Sequence, residues 1–394
     1  MRPVVRPAVS GPGPDTPPDT WFTFENLYRA YLDCRKGKAG KLNHLRFFTN
    51  LEQELLALEA ELRDRTYRPG QSIAFVVTKP KVREIFAANF RDRVVHHLLY
   101  NYMAPTFERA FIHDSYACRK GKGTHRAAQR LQDFLCRQRR QGDGRPGYYL
   151  KMDVRSFFTS IDQQVLYRLV CKRIKREEIR WLTRVIIFHD CARDIPPRVQ
   201  SCSALFAQLP AHKSLFHVPR GTGLPIGNLT SQFFANVYLN ELDQYIKHGL
   251  KARYYLRYVD DLVLLGDSVE TLEHQKAAIA TFARERLGLQ MHPGKQFIRP
   301  SSDGVDFLGY VVRADYMLMR RRVAGQWRHK LESRLARLPT ASQACTSPMA
   351  QRILEQTVTI FASYEAHALW ANCGMLTRAM KAKYCNSSTR NQSR

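Results

Sequence analysis

Apolar residues recur at three- and four-residue steps from Trp21 to about Arg65. The segments FENLYRAYLD and FFTNLEQELLALEAELRD carry this spacing, which predicts amphipathic helices. Residues 73–78, IAFVVT, are β-branched and aromatic, and this composition predicts a strand. Residues 1–20 are rich in proline, and we expect them to be disordered. The chain is therefore predicted to begin with a tail, continue as helices and then enter a sheet.

The remaining pattern alternates between helical and extended segments. Helices are predicted near residues 93–103, 163–188, 228–248 and 270–287. Strands are predicted at residues 149–154 and near 305–319, with a hairpin at 254–265 that carries acids at its turn. Residues 190–218 contain Pro196, Pro197 and Pro210, so we interpret them as a loop insertion. The residues beyond 320 are predicted to be helical and basic.

The charge of the chain indicates its class of partner. Its 394 residues include 62 Lys and Arg against 35 Asp and Glu, a net charge of +27. A surplus of this size favours a polyanionic partner such as nucleic acid, although a basic protein kept soluble by its charge is the simpler alternative. The length favours two or three packed subdomains.

The cysteines and the apolar runs indicate the cellular compartment of the protein. Nine cysteines are scattered without a CxxC pair, which argues against a zinc ribbon and fits reduced thiols in a cytosolic protein. The N-terminus has no apolar core of a signal peptide, and no apolar run reaches the length of a membrane span. We therefore expect a cytoplasmic protein without a membrane partner.

Two segments carry acids in apolar surroundings. Asp153 follows the apolar strand of YYLKMDVRSFFTSID, and Asp260 and Asp261 lie at the centre of YLRYVDDLVLLGD. Each segment alone also fits an ordinary turn or strand end. Adjacent carboxylates in apolar surroundings are costly unless a cation neutralises them, and Mg²⁺ prefers such oxygen ligands. Two ions held this way suit nucleotidyl transfer, in which one activates a hydroxyl and the other stabilises the leaving pyrophosphate.

The tetrad Tyr258–Asp261 resembles the YxDD box of reverse transcriptases. Other segments resemble blocks of that family, in the family's order: KPKVREI, DSYACRKGKGTHRA, LKMDVRSFF, GTGLPIGNLTSQFFANVYLNELDQYIKH, GLQMHPGKQ and DFLGY. The similarity covers roughly residues 22–380. It implies an α+β right-hand polymerase fold of fingers, palm and helical thumb.

The same resemblance implies domain boundaries. Residues 1–20 form the tail, 21–147 the fingers, 148–319 the palm with the catalytic carboxylates, and 320–394 the basic helical thumb with a C-terminal tail. No maturase-like DNA-binding domain, endonuclease domain or extension of ribonuclease H size is expected after the thumb.

One block narrows the subfamily. Most retroviral and group II intron enzymes have Gln before the Gly of this block, whereas this chain has Ile226-Gly227-Asn228-Leu229-Thr230-Ser231-Gln232. An IGxxxSQ block is similar to reverse transcriptases of diversity-generating retroelements, as are LPAHKSLFHVPRGTGLP and ASYEAHALWAN. Such an enzyme, encoded by a bacterium or phage, makes error-prone cDNA from a template-repeat RNA during mutagenic retrohoming. Three alternatives stay open: an antiphage-defence reverse transcriptase, an untemplated or protein-primed polymerase in defence, and a non-catalytic nucleic-acid-binding protein with a polymerase fold.

The resemblance also assigns roles to residues. The catalytic set is Asp153, Asp260, Asp261 and Lys295, with Lys295 as proton donor to pyrophosphate. The set that holds two Mg²⁺ ions, for which Mn²⁺ can substitute, is Asp153, Val154, Asp260 and Asp261. The set that binds the incoming dNTP is Lys81, Arg83, Phe158, Ile226 and Gly227, with Phe158 as a steric gate against ribose. A solvated basic turn, a core Phe and a surface lysine are the structural alternatives.

Contacts with template RNA and primer or cDNA are assigned to a further set: Arg119, Lys120, Lys122, Gln232, Leu308, Gly309, Arg320 and Arg321. A small, basic, helical accessory subunit is also implied, and acids of the N-terminal helices would dock it: Glu52, Glu54, Glu59 and Glu61. For any single one of these acids, an ordinary solvated helix face is the stronger explanation. Ile226 cannot form a side-chain hydrogen bond, so tolerant copying is expected. The resemblance adds that errors should concentrate opposite template adenine.

Overall fold

The computed structural model describes residues 20–79, 81–195, 205–337 and 348–384. The backbone divides into two compact units. The first unit comprises residues 1–110 and 158–237, and the second comprises residues 111–157 and 238–394. The predicted tail and Pro196 and Pro197 of the predicted insertion lie outside the described residues. The fingers, palm and thumb boundaries stay predictions.

The helices, in chain order, are α1 Phe24–Arg35, α2 Leu42–Thr49, α3 Leu51–Arg63, α4 Phe90–Glu108, α5 Thr124–Gln141, α6 Phe157–Ser160, α7 Gln163–Arg173, α8 Glu177–Ile187, α9 Leu229–Gln244, α10 Val269–Leu287, α11 Arg321–Leu335, α12 Pro348–Ala368 and α13 Gly374–Tyr384. The strands are β1 Ile73–Val77, β2 Arg83–Ala87, β3 Tyr148–Asp153, β4 Tyr254–Tyr258, β5 Asp261–Gly266, β6 Phe297–Pro300, β7 Val305–Phe307, β8 Tyr310–Val312 and β9 Met317–Met319. A π-helical turn, Tyr245–Gly249, follows α9.

The predicted helices and strands are present, and the described residues also form elements that are not among the predictions, including the short helix α6 and three longer or paired elements. Strand β2 lies within a segment interpreted as a basic stretch, because its charged residues hide the buried Phe86. Helix α5 has a mostly polar sequence, and its buried face is a narrow stripe that includes Leu131 and Phe134. Strand β6 is four residues long and carries no alternation. Each is an element whose place depends on its partners more than on its own pattern.

The first unit has its core between helices. The hydroxyl of Thr23 caps α1 by accepting from the backbone N–H of Asn26 at 3.3 Å, and the buried face of α1 includes Leu27 and Tyr31. Asn89 caps α4 in the same way through the N–H of Asp92 at 2.9 Å. Strands β1 and β2 form an antiparallel hairpin in this unit.

The second unit is built on a four-stranded antiparallel sheet in the order β4-β5-β3-β6. One face carries Tyr149, Leu256 and Val263, which pack with Leu131 and Phe134 of α5. Leu150, Met152, Leu262 and Leu264 alternate with them and are also buried, and α10 contacts β3 and β5. Because both faces of the sheet are covered, its central strands read as nearly continuous apolar runs.

A smaller sheet and three helices complete the second unit. Strands β7, β8 and β9 form an antiparallel sheet in that order. Helices α11, α12 and α13 share an apolar core centred on Trp327, Leu331 and Phe361. Among the described residues, no helix combines the length and apolar character that crossing a membrane requires.

Candidate active site

Three carboxylates meet at one edge of the large sheet. Asp153 is the last residue of β3 and lies directly opposite Asp261, the first residue of β5. Asp260 occupies the turn between β4 and β5, and its carbonyl accepts from the N–H of Val154 at 3.3 Å. The segment before β6 also fixes the backbone of Asp153, because the carbonyl of Asp153 accepts from the N–H of His292 at 2.8 Å. The structure therefore brings together the acids that the two sequence segments supplied.

Electrostatic repulsion is concentrated at Asp260. Burial, which is the largest cause, and the nearby charges of Asp153 and Asp261 together raise its pKa to about 6. Two lysines lie beside the other acids: Lys295 donates from Nζ to Asp153 Oδ1 at 2.7 Å, and Lys151 Nζ lies 3.8 Å from Asp261 Oδ1. The site thus holds excess negative charge at its buried centre and ammonium groups at its rim.

The residues assigned to the dNTP lie in the first unit. The carbonyl of Ile226 accepts from the N–H of Phe86 in β2 at 2.8 Å, and Asn228 Oδ1 accepts from the N–H of Ala88 at 3.2 Å. These bonds fasten the IGN segment to the strand that begins with exposed Arg83. Gly227 has a φ of +133°, and a Cβ there would lie 2.6 Å from the carbonyl oxygen of Phe86. Glycine is therefore required by both conformation and space.

The three other predicted site residues of the first unit are exposed or half-buried. Lys81 is exposed, and Phe158 is half-buried in α6, where its carbonyl accepts from the N–H of Leu224 at 2.8 Å. Gln232 is exposed on α9. These side chains are accessible to a ligand, and their roles stay predictions.

Residues 77–312 match the family described as reverse transcriptase (RNA-dependent DNA polymerase). This segment is more than half of the 394-residue chain. The chain belongs to the reverse transcriptase family. Its members are RNA-directed DNA polymerases, which are nucleotidyltransferases, and the predicted α+β polymerase fold is confirmed. A comparison with curated protein sequences finds no match.

Among solved structures, the chain is similar to telomerases of two yeasts. A telomerase from Candida albicans, in complex with a TWJ fragment of telomeric RNA, is 10% identical with a TM-score of 0.46, and the match covers 81% of this chain and 55% of that one. An apo telomerase from Candida tropicalis is 11% identical with a TM-score of 0.45, and the match covers 76% and 59%. The chain thus spans little more than half the length of these telomerases.

The DFLGY segment, which resembles a block of the reverse transcriptase family, contains a strained turn between β7 and β8. Leu308 and Gly309 both have positive φ, 51° and 93°. The carbonyl of Gly309 accepts from the N–H of Arg320 at 2.9 Å. The hydroxyl of Tyr310 donates to the carbonyl of His367 at 2.9 Å. The turn is thereby tied to the start of α11, and the first residue of β8 is tied to the last turn of α12.

The basic residues of the second unit differ in how far they are free to reach a ligand. Arg119 donates to the carbonyls of Ile112 and Ser115, and Lys122 donates to that of His113, so both stabilise their own loop. Arg320 forms an ion pair with Asp306 at 2.5 Å. Lys120 and Arg321 are exposed. Exposed cations are the better candidates for phosphate contacts.

The sequence analysis did not predict a buried ion pair that lies close to the turn with Asp260. Arg257 and Asp243 are fully buried and lie 2.6 Å apart. A charged residue inside the apolar run of β4 was a signal of this pair, because a buried charge requires a partner.

Proposed function

We propose that this chain is an RNA-directed DNA polymerase that copies RNA into cDNA by two-metal nucleotidyl transfer. The observation that carries the proposal is the meeting of Asp153, Asp260 and Asp261 at one edge of the β4-β5-β3-β6 sheet. Membership of the reverse transcriptase family supports it.

The donor set fits divalent cations. Carboxylate oxygens suit Mg²⁺ and also Mn²⁺, and a cation among these acids would relieve the repulsion that raises the pKa of Asp260. Within the described ranges, no group of three or more His, Cys, Asp or Glu side chains lies close enough together to hold a metal ion by itself. Mg²⁺ ordinarily keeps water and substrate phosphates among its ligands, so a few carboxylates suffice. Asp153, Asp260, Asp261 and the carbonyl of Val154 would hold two ions, which activate the primer hydroxyl and stabilise the pyrophosphate.

The chain's own residues supply the remaining steps. The primer 3′ oxygen attacks the α-phosphorus of the dNTP, and the bond to pyrophosphate breaks as the new phosphodiester forms. Lys295 would leave Asp153 and give a proton from Nζ to the departing pyrophosphate. Lys81 and Arg83 would neutralise the triphosphate, and the ring of Phe158 would exclude a ribose 2′ hydroxyl.

The same function requires a path for template and primer. The net charge of +27 favours an RNA–DNA hybrid as ligand. Lys120 and Arg321 would contact phosphates, with Arg119, Lys122 and Arg320 mainly holding the loops that carry them. Leu308 and Gly309 would approach the primer end, and Gln232 the template strand.

The finer proposal is a diversity-generating retroelement enzyme, bacterial or phage-encoded and cytoplasmic, that makes error-prone cDNA from a template-repeat RNA. Ile226 supports it, because an aliphatic side chain stands where most reverse transcriptases place Gln. The antiphage-defence enzyme is the runner-up.

A small basic helical accessory subunit belongs to this finer proposal. Three of the four candidate docking acids already have partners: Arg91 lies 3.2 Å from Glu54 and 2.8 Å from Glu61, and Arg63 pairs with Glu59. Glu52 is exposed. Co-purification of the two proteins, compared between wild type and Glu52→Lys, tests this partner.

Primer extension tests the main proposal. A DNA primer annealed to a defined RNA is incubated with dNTPs, with and without Mg²⁺. We expect Mg²⁺-dependent extension whose product sequence follows the RNA. Hybrid binding without extension would instead support a non-catalytic protein, and synthesis without added template or primer would favour the defence-type polymerase.

A further inference from the structure

Arg257 is a fully buried arginine two residues before the turn that carries Asp260. Its guanidinium donates two hydrogen bonds to Asp243, from Nε to Oδ1 at 2.8 Å and from Nη2 to Oδ2 at 2.6 Å. Nη2 also donates to Ser115 Oγ at 3.2 Å. The remaining nitrogen, Nη1, donates to the carbonyl of Val259 at 2.9 Å. The guanidinium thus links the end of α9 directly to the catalytic turn.

The backbone around Arg257 is fixed as well. Its N–H donates to the carbonyl of Asp114 at 2.9 Å, and its carbonyl accepts from the N–H of Tyr116 at 3.0 Å. The hydroxyl of Tyr255 donates to Asp243 Oδ1 at 2.6 Å. Both ends of the arginine side chain are therefore held, and the position of Nη1 has little freedom.

Val259 is the residue that needs this support. It has a φ of 52°, a conformation that costs a β-branched residue more than most others. Val259 is the first residue of a two-residue hairpin turn, where glycine is usual when φ is positive. Strain of this kind persists only where the surroundings impose it.

The bond to Val259 controls the peptide that leads into Asp260. The carbonyl of Val259 and the N–H of Asp260 belong to the same planar unit. Arg257 holds the carbonyl side of this unit, while the N–H of Val154 holds the carbonyl of Asp260 itself at 3.3 Å. These two bonds, one to the peptide before Asp260 and one to the peptide after it, therefore fix the backbone that carries the Asp260 carboxylate.

We propose that Arg257, oriented by Asp243, is a positioning residue that holds the strained Val259–Asp260 turn in the geometry needed for cation binding and nucleotidyl transfer. The inference rests on the proposed polymerase function. A buried ion pair is a weak source of net stability, because desolvation offsets the attraction between the charges. The ion pair instead fixes geometry, because the planar guanidinium forms hydrogen bonds with Asp243 and Val259 at the same time. A lysine ammonium cannot reproduce this arrangement.

Arg257→Lys tests the proposal, because it keeps the charge beside Asp243 and removes the fork. We expect kcat for primer extension to fall at least tenfold and the Mg²⁺ concentration for half-maximal rate to rise at least threefold. Binding of an RNA–DNA hybrid and the melting temperature should stay close to wild type. Arg139→Lys is the matched control, since Arg139 forms a two-bonded pair with Asp315 at the surface of the same unit.

A second variant separates positioning from folding. Asp243→Leu, Tyr255→Phe and Arg257→Met together replace the buried polar groups with apolar side chains, which often preserves or raises stability. We expect this triple variant to fold and bind hybrid but to extend primers at least tenfold more slowly. Wild-type rate and Mg²⁺ dependence in either folded variant overturn the proposal, and so does loss of folding in both, which assigns the pair a structural role. Absence of extension by wild type would instead refute the proposed function itself.

Discussion

Asp153 and Asp261 lie directly opposite each other on neighbouring antiparallel strands, one at the end of β3 and the other at the start of β5. This register places both carboxyl groups at the same edge of the sheet, where their charges repel each other. Burial and the nearby charges of Asp153 and Asp261 raise the pKa of Asp260, which lies in the turn before β5. The proposed binding of cations at these acids therefore predicts what loss of one acid will do.

Asp260→Asn should abolish most polymerisation. The substitution removes a cation ligand and a charge while preserving side-chain volume. We expect the extension rate to fall more than about tenfold, which corresponds to about 1.4 kcal/mol of transition-state stabilisation. Hybrid affinity should stay within about twofold of wild type. The control is Asp267→Asn, an exposed acid just after β5, which should extend at the wild-type rate; a similar rate in the two variants would contradict the assignment.

The carboxylates could be predicted from the sequence, because an acid within an apolar strand stands out without any knowledge of the fold. Asp153, Asp260 and Asp261 each stand out from their Leu, Val and Tyr neighbours. Arg257 stands out equally, but its partner Asp243 lies in a different element, and only folding shows that the two meet. The bond to Val259 also depends on the positive φ of that residue, and a valine in the sequence gives no indication of a positive φ.

The fold shows the same division. Long amphipathic helices such as α1 and α10 follow from their own spacing. Strand β6 pairs with β3 through only four residues, and its place is set by that partner. The basic loop at residues 119–122 looked uniformly suited to nucleic acid, yet Arg119 and Lys122 bond their own backbone. A sequence shows the charge of such a residue but not whether that charge is already engaged.

Salt should weaken hybrid binding steeply, because phosphate contacts release counterions. Arg321→Ala should reduce the slope of log affinity against log salt by about 0.9, the value for one phosphate contact. Arg320→Ala should change it less, because Asp306 already engages that guanidinium. Binding titrations at several salt concentrations measure both slopes. A flat dependence for wild type, or a larger change from Arg320→Ala, would contradict this account.

Gly309→Ala should destabilise the turn between β7 and β8. The φ of 93° disfavours any residue with a Cβ, and the new methyl would lie 3.3 Å from His367 Nε2. We expect a loss of about 1–2 kcal/mol in the free energy of unfolding, the usual cost of a left-handed conformation. Gly325→Ala is the matched control, since it lies in α11 with open space around it and should stabilise by about 0.5–1 kcal/mol. Denaturant titration of the two variants should move in opposite directions.

Glu84 should give the first unit a pH-dependent stability. Burial raises the pKa of this carboxyl above its ordinary value of 4.5, although Ser214 Oγ and the N–H of Leu215 donate to it. The native state therefore binds more protons than the unfolded state just above that pH, so its contribution to the free energy of unfolding falls as pH rises. Glu84→Gln should flatten this decline, measured by denaturant titration from pH 4.5 towards neutrality. The exposed Glu25→Gln should leave the wild-type slope unchanged; an equal slope in Glu84→Gln would refute the role of burial.

The last prediction concerns fidelity and depends on how Ile226 is held. Its backbone carbonyl is bonded to Phe86 and the next residue, Gly227, allows no side chain, so the IGN segment has a fixed position against β2. The half-buried side chain of Ile226 therefore occupies a defined place, with no atom able to form a hydrogen bond. If the nascent base pair passes beside it, the enzyme senses the pair by shape alone.

Ile226→Gln should make copying more accurate. An amide at this position can bond the incoming sugar or the nascent pair, and a lost or gained contact of this kind is worth up to several kcal/mol in discrimination. We expect cDNA made by wild type from a defined RNA to carry errors concentrated opposite template adenine, and the variant to carry several-fold fewer. Ile226→Val is the control, because it keeps an aliphatic side chain and should retain the wild-type error spectrum. Equal error rates at all four template bases in wild type would favour the antiphage-defence alternative, since adenine-directed error is what the retroelement proposal requires. An unchanged spectrum in Ile226→Gln would leave that proposal standing but remove this residue from the discrimination of base pairs.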